Sequence, residues 1–281
     1  MITGRTALYG VLGHPVSHSR SPEMQNAAFA HAGVDAVYVA LPVSPERLAE
    51  AIAGAHALGF SGLNVTVPHK QAALALCATV DPVAAAVGAV NTLRRAARGW
   101  EGFNTDAPAC LALLEAAGVG EGARALLVGA GGAARAVGWA LVRAGARLSI
   151  AARRDEAARE VAEALAPGVS SGVPIPEAVP FAELAARSRE ADVIVNGTSV
   201  GLAGKPAAIE GLAFRAGQVA VDLVYGDTAF VRSARAAGAR IVTGEEILVR
   251  QGALAFTLWI GRPAPEAVMA AAVARPPGRS S

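Results

Sequence analysis

"LLVGAGGAARA", residues 126–136, runs from apolar residues through glycines into an alanine-rich stretch. Leu126, Leu127 and Val128 suit a buried strand, and the residues after the glycines suit a helix. In a dinucleotide-binding turn the first glycine makes the tight bend and the second lets the backbone approach a pyrophosphate. The third place needs a small residue for close helix–strand packing. Gly129 and Gly131 fill the first two places, Gly132 adds room, and Ala134 takes the third. Helix N-terminal amides then face the anion. A purely structural turn is the bland alternative, but the flanking strand and helix are the ones a dinucleotide site requires. Gly129, Ala130, Gly131, Gly132 and Ala133 are therefore the candidate cofactor-binding residues of this loop.

The end of the next strand bears on which dinucleotide is bound. An acidic residue there would take the ribose hydroxyls of NAD. The sequence instead reads "IAARRD", with Arg153 and Arg154 in that place. Guanidinium groups suit a phosphate dianion through bidentate geometry and permanent charge. NADP is the expected cofactor, with NAD kept open by the neighbouring Asp155.

Working outward, strand and helix signals alternate on both sides of the glycine loop. Downstream come "RLSIAAR", "EAAREVAEAL", "ADVIVNGTS" and "QVAVDLVY". Upstream, "ALYGVLG" (7–13) reads as a strand, "SPEMQNAAFAHAG" (21–33) as a capped helix and "AVYVALPV" (36–43) as a strand. "PERLAEAIAGAHALG" (45–59) reads as a helix before the strand "GLNVTVP". Such alternation predicts an α/β fold with mostly parallel sheets. "GFNTDAPACLALLEAAG" (102–118) is the candidate crossover, and "PPGRSS" (276–281) has the composition of a disordered tail.

A chain of 281 residues exceeds one usual core, which makes two domains the prior. With 53% hydrophobic residues, 17% charged and a net charge of +2, it reads as globular, with no polyanion as partner. Cys77 and Cys110 lie in helix-like apolar runs without metal-ligand spacing and read as buried free thiols. "MITGRTALYGVLG" lacks the pattern of a signal peptide, and no run of about 20 apolar residues is present. A cytoplasmic location, a small-molecule substrate, no nucleic acid and no membrane are expected.

"NVTVPHK" (64–70) poses the catalytic question. Val65, Thr66 and Val67 favour a strand, and Pro68 ends it. Lys70 then opens "KQAALALCA", which reads as a helix. Such a lysine is either a solvated charge, the commoner case, or a group aimed at a ligand. Nicotinamide chemistry needs the substrate oxygen's charge and proton managed. Five scattered histidines and two distant cysteines do not supply a zinc site. A Tyr-x-x-x-Lys pair is absent, because Tyr9, Tyr38 and Tyr225 have Gly13, Pro42 and Ala229 four positions on. An isolated acid/base residue with an orienting partner remains. Lys70 with a carboxylate such as Asp106, in "GFNTDA", would serve.

Together these blocks resemble the shikimate dehydrogenase family through about residue 270. The resemblance rests on "GHPVSHSRSP" (13–22), "NVTVPHK" (64–70), "GAVNTL" (88–93), "GFNTDA" (102–107), "GAGGAARA" (129–136), "NGTSVGL" (196–202), "DLVY" (222–225) and "LVRQGALAF" (248–256). It implies NADPH-dependent, reversible reduction of 3-dehydroshikimate to shikimate, within aromatic amino acid biosynthesis, by a monomer or homodimer without metal. Residues 1–105, completed by 245–275, would form an N-terminal α/β substrate-binding and catalytic domain. Residues 106–244 would form a Rossmann-type, doubly wound NADP domain, with the C-terminal helices returning to the first domain.

By the same resemblance Ser19 and Ser21 hold the substrate carboxylate, with a helix N-cap as the plainer role for Ser21. Asn64, Thr66, Asn91, Tyr225 and Gln251 hold the ring hydroxyls, although turn or strand-end roles are the plainer reading of the asparagines. Lys70 and Asp106 match the catalytic pair at the C3 oxygen. Asn196, Thr198, Ser199 and Gly244 join Arg153 and Arg154 at the cofactor.

Two departures stand out. Ala152, Arg153 and Arg154 replace an Asn-Arg-Thr run, and Glu245 and Glu246 stand where a leucine–glycine pair is common. The rival readings are a quinate or quinate/shikimate dehydrogenase and a non-catalytic NADP-binding regulatory homologue. Retention of Lys70 and Asp106 speaks against the regulatory homologue. A folate-type dehydrogenase would explain the glycine loop but not the Ser19–Ser21 block.

Overall fold

The computed structural model describes residues 2–169, 172–202 and 208–274. The tail expected at 276–281 lies outside them. The chain forms two compact units, one built from residues up to Thr105 together with those from Leu248 onward, the other from Asp106–Ile247.

The first unit opens with β1 (Ala7–Gly13), α1 (Ser21–His31), β2 (Ala36–Pro42), α2 (Leu48–Ala57) and β3 (Gly62–Val65). β4 (Thr79–Val80), α3 (Pro82–Val87), β5 (Thr92–Ala96) and β6 (Gly99–Phe103) follow. Its sheet has the order β2-β1-β3-β5-β6-β4. β1 runs parallel to both β2 and β3, whereas β5 is antiparallel to β3 and β6. The β5–β6 hairpin is not part of the simple alternation read from the sequence. Arg94, Arg95 and Glu101 interrupt its apolar pattern, and Gly99 makes the turn at φ +95°.

Two further readings are corrected. "KQAALALCA" forms no α-helix but a single tight 3-10 turn over Ala72–Leu76. The Lys70 carbonyl accepts from Val90 N at 2.8 Å instead of from a helical amide. Ser21 is not an N-cap. Arg20 occupies that place in αR geometry without a side-chain cap, and Ser21 is the first helical residue. Cys110 is buried, but Cys77 is only partly so.

The second unit contains α4 (Asp106–Ala116), β7 (Arg124–Val128), α5 (Gly132–Arg143), β8 (Arg147–Ala151), α6 (Asp155–Leu165) and β9 (Glu177–Ala178). After these come α7 (Leu184–Glu190), β10 (Val193–Asn196), β11 (Val219–Asp222), α8 (Ala229–Ala236) and β12 (Arg240–Val242). The strand order is β12-β11-β10-β7-β8-β9, with all pairs parallel. Neighbouring strand residues serve opposite faces. Leu127, Val195 and Val221 pack in one core with α5 and α6, and Leu126, Ile194 and Ala220 pack in the other with α7 and α8. This is a doubly wound sheet, and its order reverses between β7 and β10.

α9 (Gly244–Ile260) begins in the second unit, and from Leu248 onward its residues belong to the first, followed by α10 (Glu266–Ala274). Leu248, Ala253, Phe256, Met269 and Val273 complete a core with Tyr9, Val11, Phe29 and Tyr38. The C-terminal helices therefore return to the first unit.

Candidate active site

In the first unit the polar residues gather where β1 and β3 end. Thr66 N donates to Leu12 O at 2.8 Å and His14 N to Val67 O at 3.0 Å, tying the loops after the two strands. Gly13 lies so close beneath Thr66 that a Cβ would come within 2.5 Å of Thr66 Cγ2. On the loop after β1, Ser21 N donates to Ser19 Oγ at 3.3 Å.

Asn64, on β3, is nearly buried and held from every side. Its Oδ1 accepts from the Tyr38 hydroxyl at 2.7 Å, and its Nδ2 donates to Asn91 O at 3.1 Å and Thr92 Oγ1 at 3.0 Å. Asn91 Oδ1 accepts from Thr105 N at 2.7 Å and from Thr92 Oγ1 at 3.0 Å. Its Nδ2 reaches Thr105 Oγ1 at 2.9 Å and Gln251 Oε1 at 3.4 Å. Gln251 in turn donates to Leu248 O at 2.9 Å, within α9. Asn64, Asn91 and Gln251 thus share one buried network, in which each amide finds the partners that burial demands. The asparagines are no mere turn formers.

Tyr38, Thr92 and Thr105 were not picked out from the sequence. The signal for the two threonines was present, since each follows an asparagine in "GAVNTL" and "GFNTDA". Lys70 is half-buried on the turn after β3. Asp106 follows Thr105 directly and opens α4 in the second unit, where it is buried.

The second unit places its glycines at the reversal in strand order. Gly129 has φ +123°, and a Cβ there would lie 2.6 Å from Gly197 O. Only glycine suits that backbone. Gly131, at the N-cap of α5, is different: nothing lies within 4 Å of where its Cβ would be. That open space beside the first amides of a 12-residue helix fits a pyrophosphate. Arg153 and Arg154 are exposed past the end of β8 and have no ion-pair partner among the described residues. Asp155 is the first residue of α6, where a carboxylate is favoured by the helix dipole. The donor set fits a phosphorylated dinucleotide.

Asn196 is fully engaged within the protein. Its Nδ2 donates to Val200 O at 3.1 Å and Asp222 Oδ1 at 2.9 Å, and its Oδ1 accepts from Thr198 N at 3.1 Å and Thr198 Oγ1 at 2.7 Å. It shapes the loop carrying Thr198 and Ser199. Asp222 is fully buried, and this burial pushes its carboxyl above the usual range against the pull of Thr228, Val224 and Asn196. Tyr225 is 36% exposed on the loop after β11.

The sequence matches two family models, the shikimate dehydrogenase substrate binding domain over residues 11–93 and the shikimate 5'-dehydrogenase C-terminal domain over 244–274. The chain is 66% identical to the shikimate dehydrogenase (NADP(+)) of Anaeromyxobacter sp. (strain Fw109-5), covering 100% of both chains. Among solved structures, the shikimate dehydrogenase from Aquifex aeolicus is 36% identical with a TM-score of 0.88, covering 98% of this chain and 100% of that one. The Thermus thermophilus shikimate 5-dehydrogenase in complex with NADP(H) and shikimate is 39% identical with a TM-score of 0.80, covering 95% and 98%. Identity of that extent over the whole length, joined to the glycine turn and the buried amide network, makes this chain a member of the shikimate dehydrogenase family.

Proposed function

We propose that this protein is an NADP-dependent shikimate dehydrogenase that reversibly reduces 3-dehydroshikimate to shikimate in aromatic amino acid biosynthesis. The observation that carries this reading is the network joining Asn64, Asn91 and Gln251, which draws amides 160 positions apart into one buried polar surface suited to a hydroxylated ring. Ser19 and Ser21 donate to the substrate carboxylate, and Thr66 and Tyr225 complete the hydroxyl contacts. Asn64 keeps one Oδ1 lone pair beyond its Tyr38 bond, so it accepts from a ring hydroxyl. The cofactor, when bound, supplies the hydride that reaches C3. Lys70 stabilises the negative charge developing on the C3 oxygen and delivers the proton that completes the alcohol. Asp106 serves with Lys70 as the carboxylate of the catalytic pair. Gly131 and the first turn of α5 hold the pyrophosphate, and Arg153 and Arg154 hold the 2′-phosphate. Neither Cys77 nor Cys110 lies in a disulfide, which suits a reducing, cytoplasmic setting.

Following NADPH absorbance with 3-dehydroshikimate, and again with NADH, tests the reading. Turnover that prefers NADPH is expected, together with a higher kcat/KM for shikimate than for quinate. Lys70→Ala should lower kcat by about 10²–10⁴-fold. A variant as fast as the parent removes Lys70 from the mechanism. A parent with no turnover points to a cofactor-binding regulatory protein.

A further inference from the structure

The loop after β11 is held by two carboxylates acting on alternate backbone amides. Val224 N donates to Asp222 Oδ1 at 3.0 Å, and Gly226 N donates to Glu245 Oε1 at 2.7 Å. Tyr225 sits between those amides. The floor beneath it is tight: a Cβ on Gly244 would come within 2.8 Å of Val224 O and 3.0 Å of Tyr225 Cδ1. Asp222 is itself fixed by Thr228 Oγ1 at 2.5 Å and by Asn196 Nδ2 at 2.9 Å. Glu245 is fixed differently, by its place at the start of α9. There its neighbour Glu246 forms a capping box with Thr243, accepting from Thr243 N at 2.7 Å and receiving Thr243 Oγ1 at 2.9 Å. The two adjacent glutamates therefore do different work. Glu246 starts the helix, and Glu245 reaches the loop.

We propose that Glu245 is a positioning residue for Tyr225, holding the loop so that the phenol is presented to substrate, with Asp222 fixing the other end. The inference rests on the reading above in which Tyr225 belongs to the substrate shell. A carboxylate accepting a backbone N–H at 2.7 Å makes a charge-assisted bond, which is strong for one contact. A leucine in that place could not make it.

The test compares Glu245→Ala, Glu245→Gln, Tyr225→Phe and the Glu245→Ala/Tyr225→Phe double variant in the full-length enzyme. Glu245→Ala is expected to raise KM for shikimate about 3–10-fold with kcat and KM for NADP near the parent values. Glu245→Gln keeps an acceptor oxygen and should restore most of that loss. The double variant should be no worse than Tyr225→Phe alone, because both changes act through one group. If Tyr225→Phe raises KM but Glu245→Ala does not, the clamp is wrong and the substrate reading stands. Additive effects, or loss spread equally over kcat and both KM values, would mean that Glu245 only supports the fold. A Tyr225→Phe enzyme identical to the parent removes Tyr225 from the substrate shell and the proposal with it.

Discussion

Tyr38 is 1% exposed, and its hydroxyl lies 2.7 Å from Asn64 Oδ1. The direction of that bond is fixed by chemistry. Asn64 must turn its NH2 toward the Asn91 carbonyl, which cannot donate, so its oxygen faces the phenol. Tyr38→Phe keeps the ring and removes the hydroxyl that orients Asn64. It should cost about 1 kcal/mol of stability and raise KM for shikimate several-fold. Urea melts read beside steady-state kinetics check this, and an unchanged KM would detach Asn64 from substrate. Cys77 makes a second single-residue case. Burial pushes its thiol up to about 11 from 9, and Sγ lies 3.2 Å from Ala73 O. Alkylation at pH 8 should run roughly 100-fold slower than for a free cysteine, since the thiolate is the nucleophile. Mass-spectrometric labelling rates measure it. The sequence marked Asn64, Asn91 and Gln251 through the family resemblance, but not the hydroxyls that orient them. A buried tyrosine on a strand looks like any core residue until its partner, 26 positions away, is placed beside it.

At the scale of elements, the β7–α5 turn separates two uses of glycine that look alike in the sequence. Gly129 is required by the backbone, because φ is +123° and Gly197 O occupies the side-chain position. Gly129→Ala should destabilise the protein by about 1–3 kcal/mol. Gly131 has φ −78° and empty space around it, so Gly131→Ala should lose no more than the N-cap preference of about 1 kcal/mol and bind NADPH more weakly. Calorimetric unfolding and NADPH titration by fluorescence distinguish the two. Equal losses of stability would contradict the assignment of that space to a ligand. This turn was legible because strand, glycines and helix follow one another without interruption. The stretch from Lys70 to Phe103 was much less so. Its 3-10 turn and hairpin depend on long-range bonds such as Val90 N to the Lys70 carbonyl, which override local helical preference.

For the whole molecule, acid stability should turn on Asp192, which lies beside the start of β10. It accepts from Arg124 at 3.1 Å and from Arg215 at 3.0 Å, and these contacts hold its carboxyl near 2 instead of 3.8. A depressed carboxylate pKa adds stability that is present above 3.8 and lost as pH falls toward 2. The side chain is 42% exposed, so the contribution is about 1 kcal/mol or less. Asp192→Asn should lose that contribution at neutral pH, about 1 kcal/mol or less, and lie level with the parent near pH 2, so its stability changes less across the acid window. Chain connectivity sets a larger effect. Ending the chain at Ile247 removes Leu248, Ala253, Phe256, Met269 and Val273 from the core that also contains Tyr9 and Phe29. At about 1.5–3 kcal/mol for each large side chain, the loss exceeds what a domain of modest stability can absorb. Hydrogen exchange on the truncated protein should find β1 and β3 unprotected, and native-like protection there would refute the dependence. The same discontinuity governs synthesis. On the ribosome the nascent N-terminal strands must wait, still incomplete, until the last helices emerge from the exit tunnel. The contiguous stretch from Asp106 to Ile247 has all its parts earlier, so the usual order, in which the first segment made is the first to fold, is reversed.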